Sequence, residues 1–178
     1  EKPQAWLSFY NSLNPEKPID MTEDIIPEAV KSGEAVLLDG KGYYKRITTP
    51  EAFLDCQRHM LYNENMSLKL TENNFSGAAI GEPVYIGENV SVMSGSVIES
   101  GSVIDNNAVV KGGKVNGYVG IGSVVSERCD INSAVVCRGA VLDSGVKCGE
   151  YSVIGEKAHI ASEAVIEKGV IVYDASAF

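Results

Sequence analysis

Residues 80–110 read IGEPVYIGENVSVMSGSVIESGSVIDNNAVV. Every sixth one is aliphatic: Ile80, Ile86, Val92, Ile98, Ile104 and Val110. Residues 136–172 read VCRGAVLDSGVKCGEYSVIGEKAHIASEAVIEKGVIV. Here the beat returns in a new phase as Val136, Leu142, Cys148, Ile154, Ile160, Ile166 and Val172. Four residues after a beat the side chain is usually small, as at Ser96, Ser102, Ala108, Ala140, Ser152, Ala158 and Ala164. Gly often follows the beat directly, as at Gly81, Gly87, Gly149 and Gly155. An amphipathic helix repeats near 3.6 residues and a half-buried strand near 2, so neither alone sustains a beat of six. Short strands joined by tight corners do, when each strand turns one large side chain inward and each corner admits only a small one. The pattern therefore predicts a parallel β-helix with three hexads to a turn.

Between the two runs the beat breaks at residues 111–118, where Gly112, Gly113 and Gly117 suggest a bulged corner or a protruding loop. Val119, Val125 and Ile131 carry a third phase, and the step to Val136 is one residue short. About five coils are expected, stacked at the ordinary interstrand spacing of roughly 4.8 Å. A coil cannot bury its apolar face alone, so its neighbours stabilise it and the ends need covers.

Upstream, residues 1–20 are polar and carry Pro3, Pro15 and Pro18. They read as irregular, with a short helix near residues 5–12. Residues 22–32 read as a turn and short helix, with Pro27 in its first turn and Gly33 at its stop. Residues 35–38 and Tyr43-Tyr44 flank Asp39-Gly40 and suggest a hairpin. Thr49 before Pro50 signals a helix start, with Thr48 and Glu51 matching a capping box. That helix should reach about Tyr62 and pack through Phe53, Cys56, Met60 and Leu61, as the cover of the first coil. Leu68 and Leu70 alternate with polar neighbours and suggest a first strand.

The chain has 178 residues, is 44% hydrophobic and carries a formal net charge of -9. Its mean hydropathy is -0.01 and its pI about 4.7. Phosphate-backbone binding needs clustered Lys and Arg, and none stands out, so nucleic acid is not an expected partner. No apolar run approaches membrane-span length, so no membrane partner is expected. The start, Glu1-Lys2-Pro3, lacks an initiator Met and a secretory pattern, which suggests a processed chain or one cut from something longer. Cys56, Cys129, Cys137 and Cys148 show no C-x-x-C spacing and read as reduced thiols of a cytoplasmic protein.

The hexads resemble the left-handed β-helix family, and the left hand is implied by that resemblance. Asp24-Ile25-Ile26-Pro27, followed by GYYKRITTPEAFL at residues 42–54, resembles the closing segment of a sugar-1-phosphate nucleotidyltransferase. That family ends in G-Y-W-x-D-I-G-T-P-E-x-Y-L, a helix and then a left-handed β-helix. Glu1-Lys2-Pro3 matches its E-K-P motif, which implies that Glu1 and Lys2 contact a sugar phosphate. NSAVVCRG at residues 132–139 is most similar to the mannose-1-phosphate guanylyltransferase group. The family's glycine-rich phosphate loop is absent. Its Mg²⁺-ligating Asp aligns with Arg46, and a guanidinium cannot ligate Mg²⁺. The motif's second Gly aligns with Thr48.

The expected architecture is thus mainly β. A small α+β remnant of a nucleotidyltransferase domain at residues 1–66 precedes a left-handed β-helix at residues 67–178. The resemblance implies an assembly or regulatory solenoid without a complete catalytic site, and Mg²⁺ only in the intact family. The partners would be further copies of the chain and a separate or missing catalytic half. An alternative is a hexapeptide-repeat acyltransferase with an acyl-CoA donor and a His general base at a subunit interface. The chain has two histidines. His59 falls on the helix and is expected to be exposed. His159 precedes inward Ile160 and should point outward, so it is the candidate base under this alternative. A third reading is a non-catalytic scaffold that presents Tyr85, Tyr118, Tyr151 and Arg138 to a partner.

Overall fold

A computed structural model describes residues 18–33, 35–36, 40–63, 75 and 77–173. The chain divides into two compact units, Glu1–Tyr43 and Tyr44–Phe178. In the first, a π-helical turn at Met21–Ile25 is capped by Asp20, whose side chain accepts from the backbone N–H groups of Thr22 and Glu23. It runs into α1 at Ile26–Lys31, with Pro27 in the first turn. Gly33 adopts φ +70° at the stop, as its position implies. The predicted hairpin is not seen in its described part, since Ala35, Val36 and residues 40–48 form no strand. Residues 37–39, the N-terminal helix near residues 5–12, and Leu68 and Leu70 lie outside the described residues.

The second unit is a left-handed parallel β-helix with α2, Pro50–Tyr62, at its flank. Among the described residues, fifteen strands, all paired in parallel, make about six turns, five of them complete. The first face stacks β1 (Ala79–Ile80), β4 (Val97–Ile98), β7 (Lys114–Val119), β9 (Asp130–Val136), β11 (Lys147–Cys148) and β14 (Val165–Ile166). The second stacks β2 (Tyr85–Ile86), β5 (Val103–Ile104), the ends of β7 and β9, β12 (Val153–Ile154) and β15 (Ile171–Val172). The third stacks β3 (Ser91–Val92), β6 (Val109–Val110), β8 (Val124–Val125), β10 (Val141–Leu142) and β13 (His159–Ile160).

The beat residues are the core. Ile98, Ile104, Val110, Val136, Leu142, Ile154 and Ile160 are at most 1% exposed, and only Ile80, in the first coil, is half-buried. Val119, Val125 and Ile131 of the third phase are fully buried. The small residues fill the inner corners. There Ser96 Oγ donates to Val110 O at 3.2 Å, Ser102 Oγ to Val115 O at 3.2 Å, and Ser123 Oγ to Cys137 O at 2.8 Å. A buried hydroxyl there needs a partner, and a backbone carbonyl supplies it at these three corners, whereas the Oγ of fully buried Ser152 has none.

Residues 111–118 do not form a protruding loop. The chain turns at Lys111–Gly113 and enters β7, which runs without a break round the corner between the first and second faces. The break in the beat is a contraction. Inward residues at this corner are six apart in Ile98 and Ile104, but four apart in Val115 and Val119 and five apart in Ile131 and Val136. A register shift between Asn116 and Gly117 absorbs the mismatch of one residue between β7 and β9. Two consecutive rungs therefore cut the corner and leave a notch in the solenoid's edge.

Candidate functional site

The notch holds α2. Thr49 caps this helix by accepting from the Ala52 N–H at 3.1 Å, so Thr49 rather than Thr48 is the capping side chain. Leu54 and Gln57 are its buried residues, whereas the expected stripe of Phe53, Cys56, Met60 and Leu61 is only half-buried. Gln57 is 8% exposed, and its Nε2 donates to Gly101 O at 2.8 Å and Gly117 O at 3.1 Å. Arg58 donates to Ser133 Oγ at 3.0 Å and Asn116 Oδ1 at 3.4 Å. Tyr62 Oη lies 2.6 Å from Ser100 Oγ.

These partners belong to successive rungs, so the helix runs beside the stack and does not cover the first coil. The reason is polar. The corner carbonyls of Gly101 and Gly117 need a donor, and Gln57 supplies it, while Arg58 bonds the corner side chains of Asn116 and Ser133. His59, expected to be exposed, is half-buried, and its Nε2 is enclosed.

Between α2 and the second face lie two adjoining cavities. The upper one, about 260 Å³, is lined by Met60 and Leu61 of the helix and by Tyr85 and Val103 of the sheet. The lower one, about 540 Å³, opens beside Thr48, Val135, Val153, Arg138 and Glu156. Ile47, Phe53 and Tyr118 line both. Phe53 meets the Tyr118 ring edge-on at 5.3 Å between centroids. Burial pushes the Tyr118 phenol well above its usual range, reinforced by its hydrogen bond to Asp105 at 2.9 Å. At the lower mouth, Arg138 binds Glu156 and holds its carboxyl below the usual range.

On the third face, His159 Nε2 lies 2.9 Å from Asp143 Oδ2. His159 is the outward residue of β13 and stands opposite Val141 of β10. Asp143 follows β10, and its N–H donates to Ile160 O at 3.0 Å, which fixes the Asp143 backbone beside the histidine strand. The pair ends an outward ladder of half-buried Val109, Val124 and Val141, in register across β6, β8 and β10. An ionised Asp143 only accepts, so Nε2 carries the ring proton and leaves the lone pair of a neutral ring on Nδ1.

Arg46 is exposed in the irregular segment before α2, and Glu1 and Lys2 lie outside the described residues. Among the described residues, no group of three or more His, Cys, Asp or Glu side chains is placed to hold a metal ion, and no helix is long and apolar enough to cross a membrane. The four cysteines are free. Sequence reasoning missed Asp143 and Gln57. An 18-residue coil sets Val141 opposite His159 and puts Asp143 on its diagonal, so Asp143 was readable in principle.

No protein-family model and no curated protein matches the sequence. Solved structures with similar coils include a mutant of GDP-perosamine N-acetyl transferase from Caulobacter crescentus in complex with CoA and GDP-perosamine. It is 22% identical over 55% of this chain and 50% of that one, with a TM-score of 0.31. A hexapeptide transferase family protein from Anaplasma phagocytophilum is 22% identical over 56% and 68%, with a TM-score of 0.30. The acetyltransferase domain of PglB from Neisseria gonorrhoeae is 20% identical over 84% of each chain, with a TM-score of 0.29. The chain spans about half the length of the first of these. At these TM-scores no activity is carried across.

Proposed function

We propose that the solenoid is a hexapeptide-repeat acyltransferase that moves an acyl group from an acyl-CoA thioester to a sugar amine or hydroxyl. The His159–Asp143 pair carries this reading. Nδ1 of His159 takes the acceptor's proton as its N or O attacks the thioester carbonyl. The C–S bond breaks, and the imidazolium returns the proton to the leaving thiolate. Asp143 holds the ring and stabilises its charged form. The valine ladder beside the pair offers an apolar surface to a narrow donor arm or to a second copy of the chain.

The test is release of free CoA from acetyl-CoA with an amino-sugar acceptor, followed by chromatography. Activity that His159→Ala abolishes, and that Asp143→Asn lowers with melting unchanged, supports the assignment. Release unaffected by His159→Ala, or no release with any amino- or hydroxy-sugar acceptor, overturns it.

A second reading has its own observation. In it the chain is the C-terminal portion of a sugar-1-phosphate nucleotidyltransferase, and the solenoid serves assembly or regulation. The hydrogen bonds of Gln57 and Arg58 favour it, because they clamp the helix that ends the 42–54 motif onto the solenoid. Under this reading the chain alone releases no pyrophosphate from GTP and mannose 1-phosphate above a boiled control. An upstream segment carrying a glycine-rich phosphate loop would restore that release.

A further inference from the structure

The upper cavity beside α2 adjoins a polar atom that the fold leaves unpaired. Gln57 lines this cavity and is 8% exposed. Its Nε2 donates to two carbonyls, Gly101 O at 2.8 Å and Gly117 O at 3.1 Å. Those acceptors fix which way round the carboxamide lies, since an oxygen in that place would face two oxygens. Its Oε1 is enclosed and has no donor. Buried polar atoms are as a rule hydrogen-bonded, so an orphaned acceptor on a cavity wall points to a ligand with an N–H or O–H. Ser152 Oγ is unpaired too, but it lines neither cavity.

The rest of the wall decides what carries that donor. Among the described residues no charged side chain lines the cavity, which favours a neutral ligand. A water would find few of the roughly two to four polar partners that a buried one needs. The rings of Phe53, Tyr85 and Tyr118 favour a flat aromatic partner. An apolar cavity of about 150 Å³ holds benzene, so one of about 260 Å³ suits two fused rings. Met60 and Leu61 follow Gln57 at three and four positions and share its helix face. Met60 is unbranched and adaptable, and its displacement opens the way to Oε1.

We propose that this cavity binds a neutral bicyclic aromatic with one hydrogen-bond donor, its rings between α2 and the second face and its donor on Gln57 Oε1. The inference does not rest on His159. Calorimetric titration of the chain with indole and with benzofuran, the same ring pair with oxygen in place of N–H, tests it. Saturable indole binding is expected, roughly fivefold or more tighter than that of benzofuran. Gln57→Met should erase that preference. Val103→Trp, or Leu61→Trp should the first not fold, fills the cavity and should abolish both heats with the melting temperature kept.

No indole heat at millimolar concentration overturns the proposal. So does equal binding of the two ligands by the parent chain, a preference that survives Gln57→Met, or binding that survives the filled cavity. A fall in oligomeric mass on filling the cavity would show that a second copy occupies it, and would overturn the proposal as well.

Discussion

Gly117→Ala probes the notch directly. Gly117 sits at φ +145°, where only glycine is comfortable, and a Cβ there would press on the carbonyl oxygen of Ala134, with Ala134 N at 3.0 Å. Both atoms are backbone of β9, which pairs with β7 on either side of the contact, so neither can retreat without opening the ladder. Backbone strain of about 1–3 kcal/mol and overpacking of about 1–3 kcal/mol together suggest a loss of roughly 2–6 kcal/mol.

Gly122→Ala is the control. Gly122 also has positive φ, +67°, but an added Cβ there meets nothing within 4 Å. The left-handed conformation alone should cost about 1–2 kcal/mol. In a chain of this size each kcal/mol moves the melting temperature by about 2–4 °C. Gly117→Ala should therefore fall by roughly 4–24 °C and its control by about 2–8 °C. Urea unfolding by circular dichroism, with equal slopes for both variants, gives the comparison. Gly117 O also accepts from Gln57, so the near-ultraviolet signal of the Phe53–Tyr118 contact should weaken in the same variant. Equal shifts for the two variants would refute the contracted corner as the origin of the notch.

Ile104→Asp puts a carboxylate at a fully buried position and should cost several kcal/mol, read as a large drop in melting temperature. Gln57→Leu leaves the carbonyls of Gly101 and Gly117 without their donor and should destabilise by about 2–4 kcal/mol in urea unfolding. Burial, with Cys129 and Asp130 nearby, pushes the Cys148 thiol up to about 12. The native state keeps this proton longer than the unfolded chain does, so its contribution is complete below about pH 9 and fades as pH rises toward 12. Cys148→Ala should fall less steeply over that window, and a slope equal to that of the parent would contradict the assignment. Half-buried valines on the third face suit self-association, so light scattering at tens of micromolar should report an oligomer. A monomer would count against that.

The helix shows where sequence reading stops. Its ends were readable, because Thr49 and Pro50 are local signals for backbone groups within one turn. Its docking was not, because the partners of Gln57 and Arg58 lie 44 to 75 residues away. Apolar spacing pointed to Phe53, Cys56, Met60 and Leu61, whereas a glutamine anchors the buried face, since the surface it meets is bare carbonyl. The broken beat was visible at residues 111–118, but an extra loop and a missing stretch disturb a periodic pattern alike.

The sequence by itself determined the coil. Every rung offers one inward place per face and one cramped place per corner, so each residue's role follows from its own position in the hexad. Only the tertiary structure decided what the coil carries. Stacking rungs of unequal length set which corner opened for α2, and that corner set Gln57 against the carbonyls of Gly101 and Gly117. Those outcomes depend on sums of spacings over many turns, and no single stretch of chain contains them.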